Sequence, residues 1–246
     1  MNDTINLLLS HRSIRKFTAD PVSKEQLDAI IDAAQHASSS SNMQAFSIIG
    51  VSDSLLRKKL AVLAGNQVYV EESPVFLVWC ADIHRYEKAV NRHNDQGIQS
   101  TMENLIVSTV DTALAAQNAA IAAESLGLGI VYIGGIRNNP GEVAELLGLP
   151  QHVYPVFGMC IGVPDQSPLV RPRLPRAAVY HENNYQTAEC LDTAIDEYDR
   201  VLSTYMKERT NGKAETTWSE AMASKAKGSQ RLHMKEFLLN RGFKLE

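Results

Sequence analysis

The run TMENLIVSTVDTALAAQNAAIAAESLGLGIVYIGG, residues 101–135, decides how this chain is layered. Leu105, Val110, Leu114 and Ile121 are set among so many alanines between Thr101 and Leu126 that little polar surface remains. A helix of this kind is buried on most sides, at the centre of the fold or at a subunit interface. Gly127 stops it, and Gly129-Ile-Val-Tyr-Ile-Gly-Gly135 reads as a core strand ending in a glycine pair.

On the N-terminal side, Ser23-Lys-Glu-Gln26 is a capping-box pattern, and Leu27, Ile30, Ile31 and Ala34 recur at helical spacing, which predicts a helix over 23–36. A short helix that Thr4 could cap precedes it. Ser38-Ser-Ser-Ser-Asn-Met-Gln44 favours a turn leading into a strand over 46–51, followed by a helix over 54–63 and a buried strand over 75–81. Residues 84–100, with His84, Arg85, Lys88, Arg92 and His93, are expected to be an irregular, solvated excursion. On the C-terminal side, Asn139-Pro-Gly-Glu142 starts a short helix with proline in its first position, 153–162 is an apolar strand, and a loop rich in Pro and Arg leads to a helix near 193–207. With no linker or repeat, residues 1–246 are expected to form a single domain whose residues 187–246 are a basic helical extension. The alternation of strands and helices alone suggests an α/β class.

At 246 residues, 44% hydrophobic and 21% charged, the chain is of ordinary globular composition, which excludes the disordered and collagen-like classes. The net charge of -4 is unevenly spread. Residues 200–246 hold ten basic and five acidic side chains, so the tail is +5, and residues 1–199, with 14 basic and 23 acidic, are -9. An acidic body argues against a nucleic-acid partner, while local basic clusters could still hold a small anion. Cys80, Cys160 and Cys190 have neither zinc nor redox-pair spacing; the first two sit in strand-like runs and are expected to be buried thiols. That usage suits a reducing cytoplasm. No signal-peptide pattern is present and no stretch is expected to serve as a membrane span of ~20 apolar residues. His36, His84, His93, His152, His181 and His233 are scattered singly, so no metal site is expected.

The glycines at 127, 129 and 134–135 are wrongly spaced for GxGxxG, and GxxxxGK[ST], GxSxG and HExxH are absent. Against that background His11-Arg-Ser-Ile-Arg-Lys16 gathers two arginines, a lysine, a histidine and a hydroxyl in six residues. These are phosphate donors, or else a solvated helix end set against the helix dipole. In Arg171-Pro-Arg-Leu-Pro-Arg176 two prolines stiffen the chain so that Arg171 and Arg173 project the same way, as a two-arginine claw or an exposed loop. Two such clusters on an acidic body are jointly better explained by a phosphorylated ligand. Glycines at the end of 129–135 let backbone amides approach a planar ligand closely.

Taken in order, His11-Arg-Ser-Ile-Arg-Lys-Phe17, the serines 38–41 with Gln44, Gly65-Asn-Gln67, Ala116-Gln-Asn118, Ala122-Ala-Glu-Ser-Leu-Gly-Leu-Gly129, Tyr132-Ile-Gly-Gly-Ile-Arg-Asn138, Pro172-Arg-Leu-Pro175, His181-Glu-Asn183 and Thr217-Trp-Ser219 resemble the NADPH-dependent FMN oxidoreductase branch of the nitroreductase superfamily over nearly the whole chain. The resemblance implies an α+β nitroreductase fold, with a central, mostly antiparallel sheet flanked by helices, in an intertwined homodimer that binds FMN at its interface. It places His11, Arg12 and Ser13 on the FMN phosphate and ribityl chain, Arg171 and Arg173 on the phosphate, and Arg15 near the N1/O2 edge, where a positive charge favours two-electron reduction. Arg171 stands where close relatives often have Lys. By the same resemblance, backbone amides of Tyr132, Ile133, Gly134 and Gly135 approach the N5/O4 side, Gln67 and Tyr69 meet the ring's polar edge, and Ser39, Ser40 and Ser41 reach the cofactor from the partner subunit. Arg209 would hold the 2′-phosphate of NADPH, preferred over NADH, with Lys213 and Arg137 as helpers. No protein nucleophile or general acid is needed. The implied reaction is a ping-pong two-electron reduction of small-molecule acceptors: nitroaromatics, quinones or free flavin. Alternatives are a dedicated NADPH–flavin reductase and a non-catalytic phospholigand-binding protein.

Overall fold

The strand β2 (Val75–Asp82) shows why the sheet is hidden on both sides: Phe76, Val78 and Cys80 face one way, Leu77 and Trp79 the other, and none is more than 2% exposed. The computed structural model describes residues 2–93, 97–98, 100–185, 187–228 and 231–245. β2 pairs with β1 (Phe46–Gly50) and β4 (Val153–Gly162), and β4 pairs with β3 (Gly129–Ile133), giving the order β1-β2-β4-β3. Every pairing is antiparallel, so the class is α+β, and the α/β suggestion of the alternation is corrected. Alternation cannot tell a helix that crosses to a parallel neighbour from one that returns to an antiparallel neighbour.

One face of the sheet is covered by α3 (Ser54–Leu63), α4 (Val68–Glu72) and α7 (Pro140–Leu146), through Leu60, Ala61, Val70 and Val143. The other is covered by α2 (Lys24–Gln35) and α6 (Met102–Ser125), through Ile30, Ala34, Ala115, Ala119, Ala120 and Ala123. Each large side chain taken out of water in these layers contributes roughly 1.5–3 kcal/mol. Thr101 and Asn104 form the capping box that starts α6.

Helix α6 departs from expectation in two ways. Its alanine face is packed, but Met102, Ile106, Val110 and Leu114, four residues apart on successive turns, are 37–51% exposed. With 24 residues it is also long and apolar enough to cross a membrane, which the sequence reading did not anticipate; its alanines, lying against the sheet, account for that length of apolar chain as core. Residues 84–90, expected to be irregular, form α5 (His84–Val90), started by a hydrogen bond from Arg85 N to Asp82 Oδ1 at 3.2 Å and tied down where His152 Nδ1 meets Glu87 Oε2 at 2.9 Å. Residues 94–96 and 99 of that stretch lie outside the described residues. The first helix, α1 (Asp3–Leu9), is capped by Asn2, not Thr4.

The chain divides into two compact units, residues 1–168 with 233–246, and residues 169–232. The second holds α8 (Ala188–Arg209) and α9 (Trp218–Lys227), joined by an edge-to-face contact of Tyr198 with Trp218 and by Ser219 N donating to Asp199 Oδ1 at 2.9 Å. The stretch 187–246 falls partly in each unit. Its last part, with α10 (Met234–Asn240), belongs to the first unit, where Arg241 donates to the carbonyls of Val153 (3.1 Å) and Leu149 (2.6 Å) and Phe243 is 1% exposed.

Candidate functional site

The basic segment 11–18 is laid along the sheet as a partial extra strand. Ile14 N donates to Ile130 O at 2.8 Å, Thr18 N to Val163 O at 2.9 Å, and Asp165 N to Lys16 O at 2.9 Å. Gly129 makes this possible, since a Cβ there would stand 2.5 Å from Ile14 Cγ1. With Ile14 buried, its neighbours turn out: Ser13 is half-buried and Arg15 exposed, with no hydrogen bond or ion pair to another described residue. Arg12 is anchored by Ser167 Oγ and Pro168 O, both at 3.2 Å, and His11 Nδ1 lies 2.6 Å from Glu124 Oε1 at the end of α6. His11, Arg12, Ser10, Glu124, Gly127 and Ser167 help to line a cavity of about 280 Å³.

At the far end of β3 the glycine pair opens a 3-10 turn, Gly134–Asn138, whose first N–H groups have no acceptor within the turn and no capping side chain. Gly135 is obligatory there: a Cβ would stand 2.1 Å from the carbonyl oxygen of Ala64. That approach brings the 64–69 loop alongside. Gln67 Nε2 donates to Ala64 O and Tyr69 OH to Gln67 Oε1, both at 2.7 Å. Ile133 is buried, and Tyr132 donates its hydroxyl to Gln117 Oε1 at 3.3 Å; burial first, then the nearby Glu124 carboxylate, pushes the phenol well above its usual range, so it stays protonated. From Ile130 to Gly134 is four residues of strand, about 13 Å at ~3.3 Å each. Arg15 with its neighbours and the Gly134–Gln67–Tyr69 group are therefore set at opposite ends of β3.

The serine loop is elsewhere. Ser39 precedes a 3-10 turn over Ser40–Asn42, and Ser41, Asn42 and Gln44 all have left-handed φ, of 48°, 57° and 52°. For residues other than glycine such conformations cost on the order of 1–3 kcal/mol each and collect at functional sites. Ser40 N and Ala45 N each donate to one carboxylate oxygen of Asp111, both at 3.0 Å, and Arg85 donates to the carbonyls of Gln44 (3.1 Å) and Phe46 (3.2 Å). Asp111 and Glu124 are thirteen residues apart on α6, roughly 20 Å at 1.5 Å per residue. The structure thus does not bring Ser39, Ser40 and Ser41 to His11 within one chain.

In the second unit Arg171, Arg173, Arg209 and Lys213 are all exposed, and none of their side chains bonds another described residue. Lys207 is not free, being 2.6 Å from Glu215 Oε1. The end of α8 turns through Asn211 and Gly212, both with left-handed φ, and Thr210 Oγ1 accepts from Ala214 N at 2.9 Å. Arg137, in the first unit, is half-buried and turned inward, its guanidinium donating to Val156 O while its own carbonyl meets His233 Nε2 at 3.0 Å. The sequence reading missed Asp111, Glu124 and Arg85.

The family model described as "Nitroreductase family" matches residues 8–163, and "Nitroreductase family, C-terminal domain" matches residues 171–246. The chain is 46% identical to "FMN reductase (NADPH)" of Bacillus subtilis, over 99% of each. It is 43% identical to "Oxygen-insensitive NADPH nitroreductase" of Salmonella typhimurium, over 99% of each. Among solved structures, the NfrA1 nitroreductase from B. subtilis superposes with a TM-score of 0.94 at 45% identity, covering 98% of this chain and 99% of that one.

Proposed function

The chain belongs to the nitroreductase family, and from that premise we propose that it is an FMN-dependent NADPH oxidoreductase that reduces small molecules by two electrons. The observation that carries the reading is the seating of 11–18 on Ile130, which places an unpaired Arg15 and the anchored Arg12 at one end of β3 and the Gly134–Gln67–Tyr69 group at the other. The donor set fits FMN: cations for a phosphate at one end, backbone amides and a side-chain amide for a planar polar edge at the other. When bound, FMN would supply the two-electron redox chemistry between NADPH and the acceptor.

The chain's own residues bind and orient. Arg12, Ser13 and His11 would hold phosphate and ribityl oxygens; His11 would present Nε2, because a carboxylate can only accept and Glu124 therefore fixes the ring proton on Nδ1. Arg15 would bring a positive charge to the ring edge, with no counter-ion among the described residues. Tyr132, Ile133, Gly134, Gly135, Gln67 and Tyr69 frame the opposite edge. Arg171 and Arg173 are assigned to phosphate on the chemistry of their guanidinium groups, and Arg209 with Lys213 to the 2′-phosphate of NADPH. We reassign Arg137 from that group to holding β4, through Val156.

A homodimer is part of the proposal. The exposed apolar stripe of α6 and the ~20 Å between the serine loop and His11 support a site to which Ser39–Ser41 come from the partner subunit. Three unpaired cysteines suit the cytoplasm. Relatives named as flavin reductases make free flavin a fitting acceptor beside nitroaromatics and quinones. Initial rates with NADPH against each acceptor test the reading: alternating occupancy of one site gives parallel double-reciprocal lines, whereas intersecting lines contradict it.

A further inference from the structure

The serine loop has left-handed residues at 41, 42 and 44, none of them glycine, so its shape is imposed by its surroundings. We propose that Asp111 is the positioning residue of the cofactor site: from the middle of α6 its carboxylate holds Ser39–Ser41 in the conformation that meets FMN bound by the partner subunit. The inference rests on the assignment of that loop to FMN.

Asp111 is 1% exposed, and its two oxygens take one amide from each side of the strained residues, Ser40 N and Ala45 N, both at 3.0 Å. A carboxylate suits this task because both its oxygens accept; an amide would turn an NH₂ group toward one of two N–H donors. The neighbouring polar groups of α6 do not compete for the loop. Ser108 Oγ donates to Asn104 O and Thr112 Oγ1 to Ser108 O, both at 2.7 Å. The support is rigid, since the alanines that follow Asp111 are packed on the sheet. Arg85 holds the carbonyl side of the same loop, but from an exposed position, where its bonds compete with water. Asp111 is thus the buried constraint, and in the proposed dimer α6 carries Glu124, beside His11, for one cofactor site and Asp111, beneath the serines, for the site of the partner subunit.

The test measures FMN binding to apo-protein by fluorescence titration, together with hydrogen exchange at individual amides, for wild type, Asp111→Asn, Asp111→Glu and Thr112→Val. Both Asp111 variants are expected to weaken FMN binding about tenfold or more with helix content retained, and to expose the Ser40 and Ala45 amides. Thr112→Val, which removes a buried hydroxyl from the same helix, is expected to lower the melting temperature and leave FMN binding unchanged. Wild-type affinity in Asp111→Asn overturns the inference, and so does an equal loss in Thr112→Val at matched stability. Should both Asp111 variants fail to fold, rapid exchange of Ser40 and Ala45 in wild-type apo-protein overturns it, and slow exchange supports it. A triple Ser39→Ala, Ser40→Ala, Ser41→Ala variant separates the premises: unchanged FMN affinity removes the loop assignment and the inference with it, while a loss there beside wild-type binding in Asp111→Asn removes Asp111 alone.

Discussion

Glu124 stands 2.6 Å from His11 Nδ1 and so decides which nitrogen of the ring can serve a ligand. Glu124→Ala leaves the ring without its orienting acceptor, and we expect FMN affinity to fall by roughly fivefold, the ~1 kcal/mol of one such hydrogen bond, as read by fluorescence titration. Arg209, whose side chain has no partner among the described residues, makes a second prediction. Arg209→Ala should raise the Michaelis constant for NADPH about 10- to 100-fold, from the ~1.5–3 kcal/mol of a hydrogen bond to a charged group, with little change for NADH; equal effects on both would remove it from the 2′-phosphate. The cysteines give a third. Burial pushes the Cys80 and Cys160 thiols up to about 12, so at pH 8 they carry almost no thiolate, while Cys190 is exposed. A thiol reagent should label Cys190 alone in the native protein and all three after denaturation. At this scale the basic clusters were legible because charge packed into six residues is visible in any arrangement. Asp111 and Glu124 were not, because a lone acid in an alanine-rich helix is ordinarily solvated, and only the fold reveals which one is buried against a loop and which against a histidine.

Among the elements, β3 separates the Arg15 and Gly134 groups, and α6 separates the serine loop from His11. Gly129→Ala would place a methyl 2.5 Å from Ile14 Cγ1, so the 11–18 segment must shift. We expect about 1–3 kcal/mol of destabilisation in thermal unfolding and weaker FMN binding, because Arg15 moves with Ile14. The α6 stripe is tested by Ile106→Glu with Val110→Glu. Charges on an exposed helix face are tolerated in a monomer, but at a subunit interface they should yield monomers by light scattering and release FMN. Helix caps at Ser23 and Thr101 and the glycine stop at 127 were readable because they are local. Strand pairing was not, since whether Val75–Asp82 lies parallel or antiparallel to Val153–Gly162 depends on connections that no window of sequence contains. Helix α5 escaped notice for a related reason: its charged face needs Asp82 and His152, the latter brought in from far along the chain, to be held down.

Over the whole molecule, the uneven charge now has a structural counterpart. The second unit carries Arg171, Arg173, Arg209 and Lys213 without counter-ions among the described residues, and in the acidic remainder Arg15, beside β3, has none among them either. On the proposed function that pattern is assigned to small phosphorylated cofactors. Membership of the nitroreductase family and a two-ended cationic and amide site converge on one claim, that this chain binds FMN and reduces it with NADPH. The most direct measurement is the visible spectrum of the purified protein, titrated anaerobically with NADPH. The account predicts a yellow protein with a single FMN in each subunit whose absorbance bleaches as NADPH is added and returns with an acceptor; a colourless protein that takes up no FMN, or bound FMN that NADPH leaves oxidised, would contradict it.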